Sequence, residues 1–206
     1  SGYNTGSLLE NLDTSGAVTV AGEYPVSHAA DYVGGITGYN HGVIKAEARK
    51  DNNVRIVGKN YVGGIVGYND SGAEVTNYAV TAESINGDTD KGSYVGGLAG
   101  CNASILMLQK ADGSAKQLYV STQNISGKYF VGGVIGANAD IDLTKTQEDT
   151  GNSSGDTLVL VEKGASPIVV SDTVNSKNTV SNWQNTGVVY ATGMYAGGIS
   201  GYNTGF

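Results

Sequence analysis

The chain predicts an all-β fold, a three-sided β-solenoid of about five to six coils with one inserted β-hairpin. Three observations carry this. A nine-residue pattern recurs along the chain. The segments between recurrences read as short strands. Glycine, asparagine and tyrosine also keep fixed places within the pattern. Self-similarity with a period of about 20–50 residues is the signature of stacked or radial repeats.

The elements follow in order. The chain opens on a shortened copy, Gly2-Tyr3-Asn4, and the first full copy is Tyr32-Val33-Gly34-Gly35-Ile36-Thr37-Gly38-Tyr39-Asn40. The second is Tyr61-Val62-Gly63-Gly64-Ile65-Val66-Gly67-Tyr68-Asn69. The others begin at Tyr94, Phe130 and Tyr195 and end at Asn102, Asn138 and Asn203. The steps between leading aromatics are 29, 33, 36 and 65 residues. Two more short runs follow each early copy. After Asn40 they are Gly42–Arg49 and Val54–Gly58, and after Asn69 they are Ala73–Val80 and Ala82–Gly87. Such runs, bounded by Gly, Asn, Asp and Ser, are strand signals, and no window offers a capped amphipathic helix. About three strands per period of roughly 30 residues suit a triangular coil better than a propeller blade of about 40–45 residues. Coils would stack at the ordinary inter-strand spacing of about 4.8 Å.

Within the nonapeptide, the Val33 and Ile36 places are aliphatic or alanine in every full copy, yet lie three apart. Strict alternation would send them to opposite faces, so the Gly-Gly between them is read as a bend. Glycine there would supply an unusual φ/ψ or room for a neighbouring coil. Ile36, Ile65, Leu98, Val134 and Ile199 are expected to form one buried stack. The closing asparagine is expected to bond its own turn and to form an amide ladder, and the leading aromatic a ring ladder.

The 65-residue step breaks the rhythm. Thr157–Val161 and Ile168–Val170 read as a hairpin around Lys163-Gly164-Ala165-Ser166. The whole chain, 1–206, is one repeat array, and 139–181 is either an insertion or a degenerate coil. The first and last hexapeptides, Ser1–Gly6 and Ser200–Gly205, are identical. This predicts a fragment of a longer array whose ends stack on further coils.

Composition bounds the chemistry. The net charge is −7, with 12 basic and 19 acidic residues, so no basic stripe suits nucleic acid. No apolar run reaches the roughly 18 residues of a membrane span, so no membrane insertion is expected. The single cysteine, Cys101, allows no internal disulfide and stands where other copies carry Tyr39 and Tyr68. It reads as a packed side chain. His28 and His41 make no His-Glu-x-x-His helix, and no Gly-x-Ser-x-Gly elbow is present. No catalytic residue is assigned, and the chain is expected not to be an enzyme. Asp88 and Asp90 stand at alternate positions before Gly92, like the start of a calcium loop. The closing Glu is missing, because the twelfth place is Ala99, so a solvated turn is the competing reading. No other cofactor is implied. Trp183, among amides in Ser181–Asn185, suits either a sugar ring or packing beneath the preceding segment. Asn102, Asn124 and Asn152 head glycosylation-type triplets that are expected by chance in so polar a chain.

The Tyr-Val-Gly-Gly-Ile-x-Gly-Tyr-Asn copies, with the later Val/Ile-x-Gly, resemble GLUG-type repeats. These occur in large bacterial surface proteins, including adhesin-like proteins and some IgA-specific metallopeptidases. The resemblance spans nearly the whole chain outside about 139–181. It implies an extracellular, cell-surface location and a rod acting as stalk or adhesive surface. Its neighbouring repeats would be partners, along with a host glycan or protein. The alternatives are a substrate-presenting, non-catalytic region of a secreted peptidase, or a carbohydrate-binding module.

Overall fold

The computed structural model describes residues 2–9, 18–19, 32–45, 55–76, 80–88, 93–107, 118–139, 147–149, 157–159, 170–171, 183–185, 188–193 and 195–204. All regular elements among them are strands, and no helix occurs among the described residues. Four sheets are parallel, and a fifth is one antiparallel pair.

The first sheet takes one strand from the end of each nonapeptide. In spatial order these are Tyr3–Asn4, Thr37–Asn40, Val66–Asn69, Ala99–Asn102, Ile135–Asn138 and Ser200–Asn203. The second contains Ser7–Leu9, Val43–Lys45, Glu74–Thr76, Ile105–Met107 and Val170–Ser171. The third runs Val18–Thr19, Arg55–Val57, Val80–Asn86 and Leu118–Gly127, and the last is joined by both Trp183–Asn185 and Val188–Ala191. The fourth runs Val33–Gly34, Val62–Gly63, Ser93–Gly96, Tyr129–Gly132 and Ala196–Gly197. Spatial neighbours are successive repeats, and equivalent places pair: Val33 with Val62, Val62 with Val95, Val95 with Val131, Val131 with Ala196.

The nonapeptide thus holds two strands, not one, divided at the Gly-Ile bend. The hydrogen bonds show how the bend is held. The N–H groups of Ile65 and Val66 both donate to the Leu98 carbonyl, at 2.9 and 3.2 Å. Ile36 and Thr37 converge in the same way on Ile65 O, Leu98 and Ala99 on Val134 O, and Val134 and Ile135 on Ile199 O. Two consecutive donors on one acceptor turn the chain while leaving both buried amides paired.

This bend brings both aliphatic places inward. Val33, Val62, Val95 and Val131 join Ile65, Leu98 and Val134 in one core with Ile44, Ile56, Ile85 and Ile125. Ile36 and Ile199 are only partly buried and pack against its two ends. Ile65→Ala is expected to cost about 3 kcal/mol, from lost burial plus the cavity left. A urea titration showing a loss below about 0.5 kcal/mol would contradict the shared core.

The unusual backbone lies elsewhere than expected. The Gly-Gly residues keep ordinary φ, and among the described residues Gly72 is the glycine at positive φ. The left-handed places belong instead to the leading aromatics: Tyr61 (φ 48), Tyr94 (φ 62), Phe130 (φ 52) and Tyr195 (φ 67). A bulky side chain there costs about 1–2 kcal/mol. The rings offset it by stacking. Tyr32, Tyr61, Tyr94, Phe130 and Tyr195 form a ladder with centroids 5.0, 4.7, 5.1 and 5.0 Å apart. Such ring pairs each contribute about 0.5–1.5 kcal/mol beyond burial. A sign inversion follows. Glycine normally destabilises a strand relative to alanine by about 0.5–1 kcal/mol. At position 94 both substitutions lose the ring, but only glycine relieves the left-handed strain. Tyr94→Gly should therefore melt above Tyr94→Ala, and the opposite order would refute the strain.

The long step is bridged directly. The Tyr195 copy lies against the Phe130 copy, with Asn138 opposite Asn203. The antiparallel pair joins Gln147–Asp149 to Thr157–Val159, rather than Thr157–Val161 to Ile168–Val170. Val170–Ser171 instead joins the second sheet beside Leu106 and Met107. The remainder of the expected hairpin lies outside the described residues.

Candidate functional site

Each closing asparagine sits at the end of a first-sheet strand, in register with the next. Nδ2 of Asn4 donates to Oδ1 of Asn40 at 2.8 Å, and the pattern continues through Asn69, Asn102, Asn138 and Asn203 at 2.8, 2.8, 2.9 and 2.7 Å. The amides also bond the backbone two residues on. Asn40 Oδ1 accepts from Gly42 N–H, and Asn40 Nδ2 donates to Gly42 O, both at 3.2 Å. Asn4 and Asn102 repeat the arrangement. Asn40, Asn69 and Asn102 are fully buried, so a glycan on Asn102 is incompatible with this fold. One residue type thus closes a turn and ties one repeat to the next.

The place after the asparagine brings chemistry to the surface. His41 and Asp70 occupy it in adjacent repeats, and His41 Nδ1 lies 2.8 Å from Asp70 Oδ2. The Tyr39 hydroxyl also bonds Asp70. Burial first, then this carboxylate, pushes the Tyr39 phenol well above its ordinary range. With Nδ1 turned to the carboxylate, the imidazole presents Nε2 to solvent, and the side chain is 53% exposed. In the next two repeats the same place is filled by buried Ala103 and Ala139, and Cys101 Sγ lies 3.5 Å from Ala139 O. Cys101 is itself buried, as its reading as a packed side chain requires.

Alternation defines an outward face on the third sheet. Ile56, Ile85, Ile125 and Val189 turn into the core. Their neighbours on either side therefore face away from it. One outward column runs Val57, Asn86, Ser126, Tyr190, and the other Arg55, Ser84, Asn124, Val188. Ser126 Oγ donates to Asn86 Oδ1 at 2.8 Å, and Asn124 Nδ2 reaches the same oxygen at 3.4 Å. Arg55 pairs with Glu83, which draws the Glu83 carboxyl below its ordinary value. Tyr190 is 56% exposed.

Asp88 is half-buried beside this sheet, its N–H directed to Lys59 O at 3.4 Å, whereas Asp90 lies outside the described residues. No group of three His, Cys, Asp or Glu side chains stands ready for a metal ion among the described residues. Trp183 pairs through its backbone with Leu118 at the start of a third-sheet strand, and its side chain lies outside what is described. Among the described residues no helix is long and apolar enough to cross a membrane. The sequence reading missed the Tyr39–Asp70–His41 group, although a signal existed: both residues directly follow a closing asparagine, one repeat step apart.

The tyrosines give a pH dependence. Burial, and then neighbouring Tyr94, holds the Tyr61 phenol far above its usual range. The folded-state value therefore lies above the unfolded value of about 10, and the unfolded chain releases its proton first. Stability is fully present below pH 10 and falls above it, by about 1.4 kcal/mol per pH unit for a group this buried. Urea midpoints measured from pH 9 to 11 should fall, and Tyr61→Phe should shallow the fall. An unchanged slope in that variant would contradict the assignment.

No protein-family model, no curated protein and no solved structure matches the chain.

Proposed function

We propose that the chain is a non-catalytic β-solenoid module of five to six coils, acting as a stalk or adhesive surface of an extracellular bacterial surface protein. The asparagine ladder through six copies is the observation that supports this reading most. Amides that could have bound a ligand are committed to bonds along the stack, in series with the ring ladder. In this reading the 65-residue step is a single coil that carries an insertion between Asn138 and Val170. The resemblance to GLUG-type repeats supplies the surface location.

In-phase deletion of residues 61–93 tests it. Removing one full period joins Asn60 to Tyr94 and leaves each remaining place opposite an equivalent one. Because repeat proteins are sums of repeat and neighbour terms, the shortened chain should fold cooperatively with an all-β circular dichroism spectrum. It should also still carry a distal binding domain on a cell surface. A shortened chain that does not fold would overturn the solenoid, and a folded one that no longer presents the domain would overturn the stalk.

A further inference from the structure

We propose that the outward face of the third sheet is a binding site for a neutral saccharide, centred on Asn86, Asn124 and Tyr190, with the buried Ser126 holding Asn86 in place. The proposal goes beyond the stalk reading and rests on the register of one sheet, not on the rod. Two donors, Ser126 Oγ and Asn124 Nδ2, converge on Asn86 Oδ1. They fix that amide so that its Nδ2 is the group it offers, while Asn124 keeps its Oδ1 as an acceptor. A fixed donor beside a fixed acceptor matches adjacent hydroxyls, each of which can give and take a hydrogen bond. Tyr190 extends the Asn86–Ser126 column by one strand and is 56% exposed. A tyrosine ring gives a large, rigid contact surface at low entropic cost. The few placed polar groups set orientation.

Charge selects among occupants. Among the described residues of this face the cation is Arg55, already paired with Glu83, and the chain carries −7, so a polyanion is disfavoured. A peptide adding as a strand would pair at an edge such as Val188–Ala191, which among the described residues pairs with one neighbour, and would leave unused the side-chain amides of Asn86 and Asn124, whose strands pair on both sides. A neutral, hydroxyl-rich ring fits what remains.

The full chain, isotopically labelled, is titrated with mannotetraose, cellotetraose, chitotetraose and a β-galactotetraose, and amide shifts are followed. At least one should shift the amides of 84–86, 124–126 and 188–190, saturating at millimolar ligand. Tyr190→Ala and Asn124→Ala should each weaken that binding about tenfold, with melting temperatures close to the parent's. If none of the four perturbs these strands, or if binding survives both substitutions, the site does not exist. Either result is independent of the deletion experiment, which reads the stack alone.

Discussion

Gly64→Val is expected to destroy the fold, or to destabilise it by more than about 4 kcal/mol, while Gly198→Val is expected to be nearly silent. The two glycines hold the same place in different copies. A Cβ on Gly64 would fall on the Gly97 carbonyl oxygen and within 2.6 Å of Val80 Cγ1. The same atom on Gly198 meets nothing within 4 Å. Because both keep ordinary φ, backbone preference cannot separate them. An overpacked side chain ordinarily costs about 1–3 kcal/mol because rotamers give way. Here the obstacle is the main chain of the next repeat, which is already hydrogen-bonded and cannot move without breaking its own ladder. Equilibrium urea titration of both variants would decide the matter. Equal losses would mean that glycine serves the bend itself, and a stable Gly64→Val would mean that the repeats do not approach so closely.

This contrast shows how far the sequence could be read. Period and phase were legible because stacking demands the same chemistry at each level. Val33 and Ile36, three apart and both apolar, implied a bend, and the bend is there. The asparagine and aromatic columns were legible for the same reason. The role of Gly-Gly was legible in part. It suggests special dihedrals or room for the next repeat; the room is used at Gly35 and Gly64, but the special dihedrals belong to Tyr61, Tyr94, Phe130 and Tyr195, whose identity signals only a preference for burial. A ring in the left-handed region is tolerated because the ladder repays it, and that balance becomes visible only once the register is known. The outward face was hidden for a related reason. Arg55-Ile56-Val57, Ser84-Ile85-Asn86 and Asn124-Ile125-Ser126 share only an isoleucine between variable residues. The isoleucine announces the core, whereas its neighbours reveal their common face only when the strands are laid side by side.

Asn69→Leu is expected to cost about 4 kcal/mol and to act on neighbours two repeats apart. Asn69 is fully buried at the centre of the ladder, accepting from Asn40 Nδ2 and donating to Asn102 Oδ1. Leucine is close in volume, so little of the loss comes from a cavity. It comes from stranding a donor on one side and an acceptor on the other, each about 1–3 kcal/mol when buried without a partner. Asn40 Nδ2 keeps its bond to Gly42 O, and Asn102 Oδ1 its bond from Ser104 N–H, which holds the total below the sum of two complete losses. The control is Asn203, the exposed member of the ladder, bonded to Asn138 at 2.7 Å. Asn203→Leu removes the bond from Asn138 at a place water can reach and should cost about 1 kcal/mol. Hydrogen exchange gives the sharper test. Amide protons at Gly42 and Ser104, held by the neighbouring asparagines, should exchange faster in Asn69→Leu. If only the strand of residue 69 loses protection, the asparagines act as separate turn closures, and the ladder adds nothing between repeats.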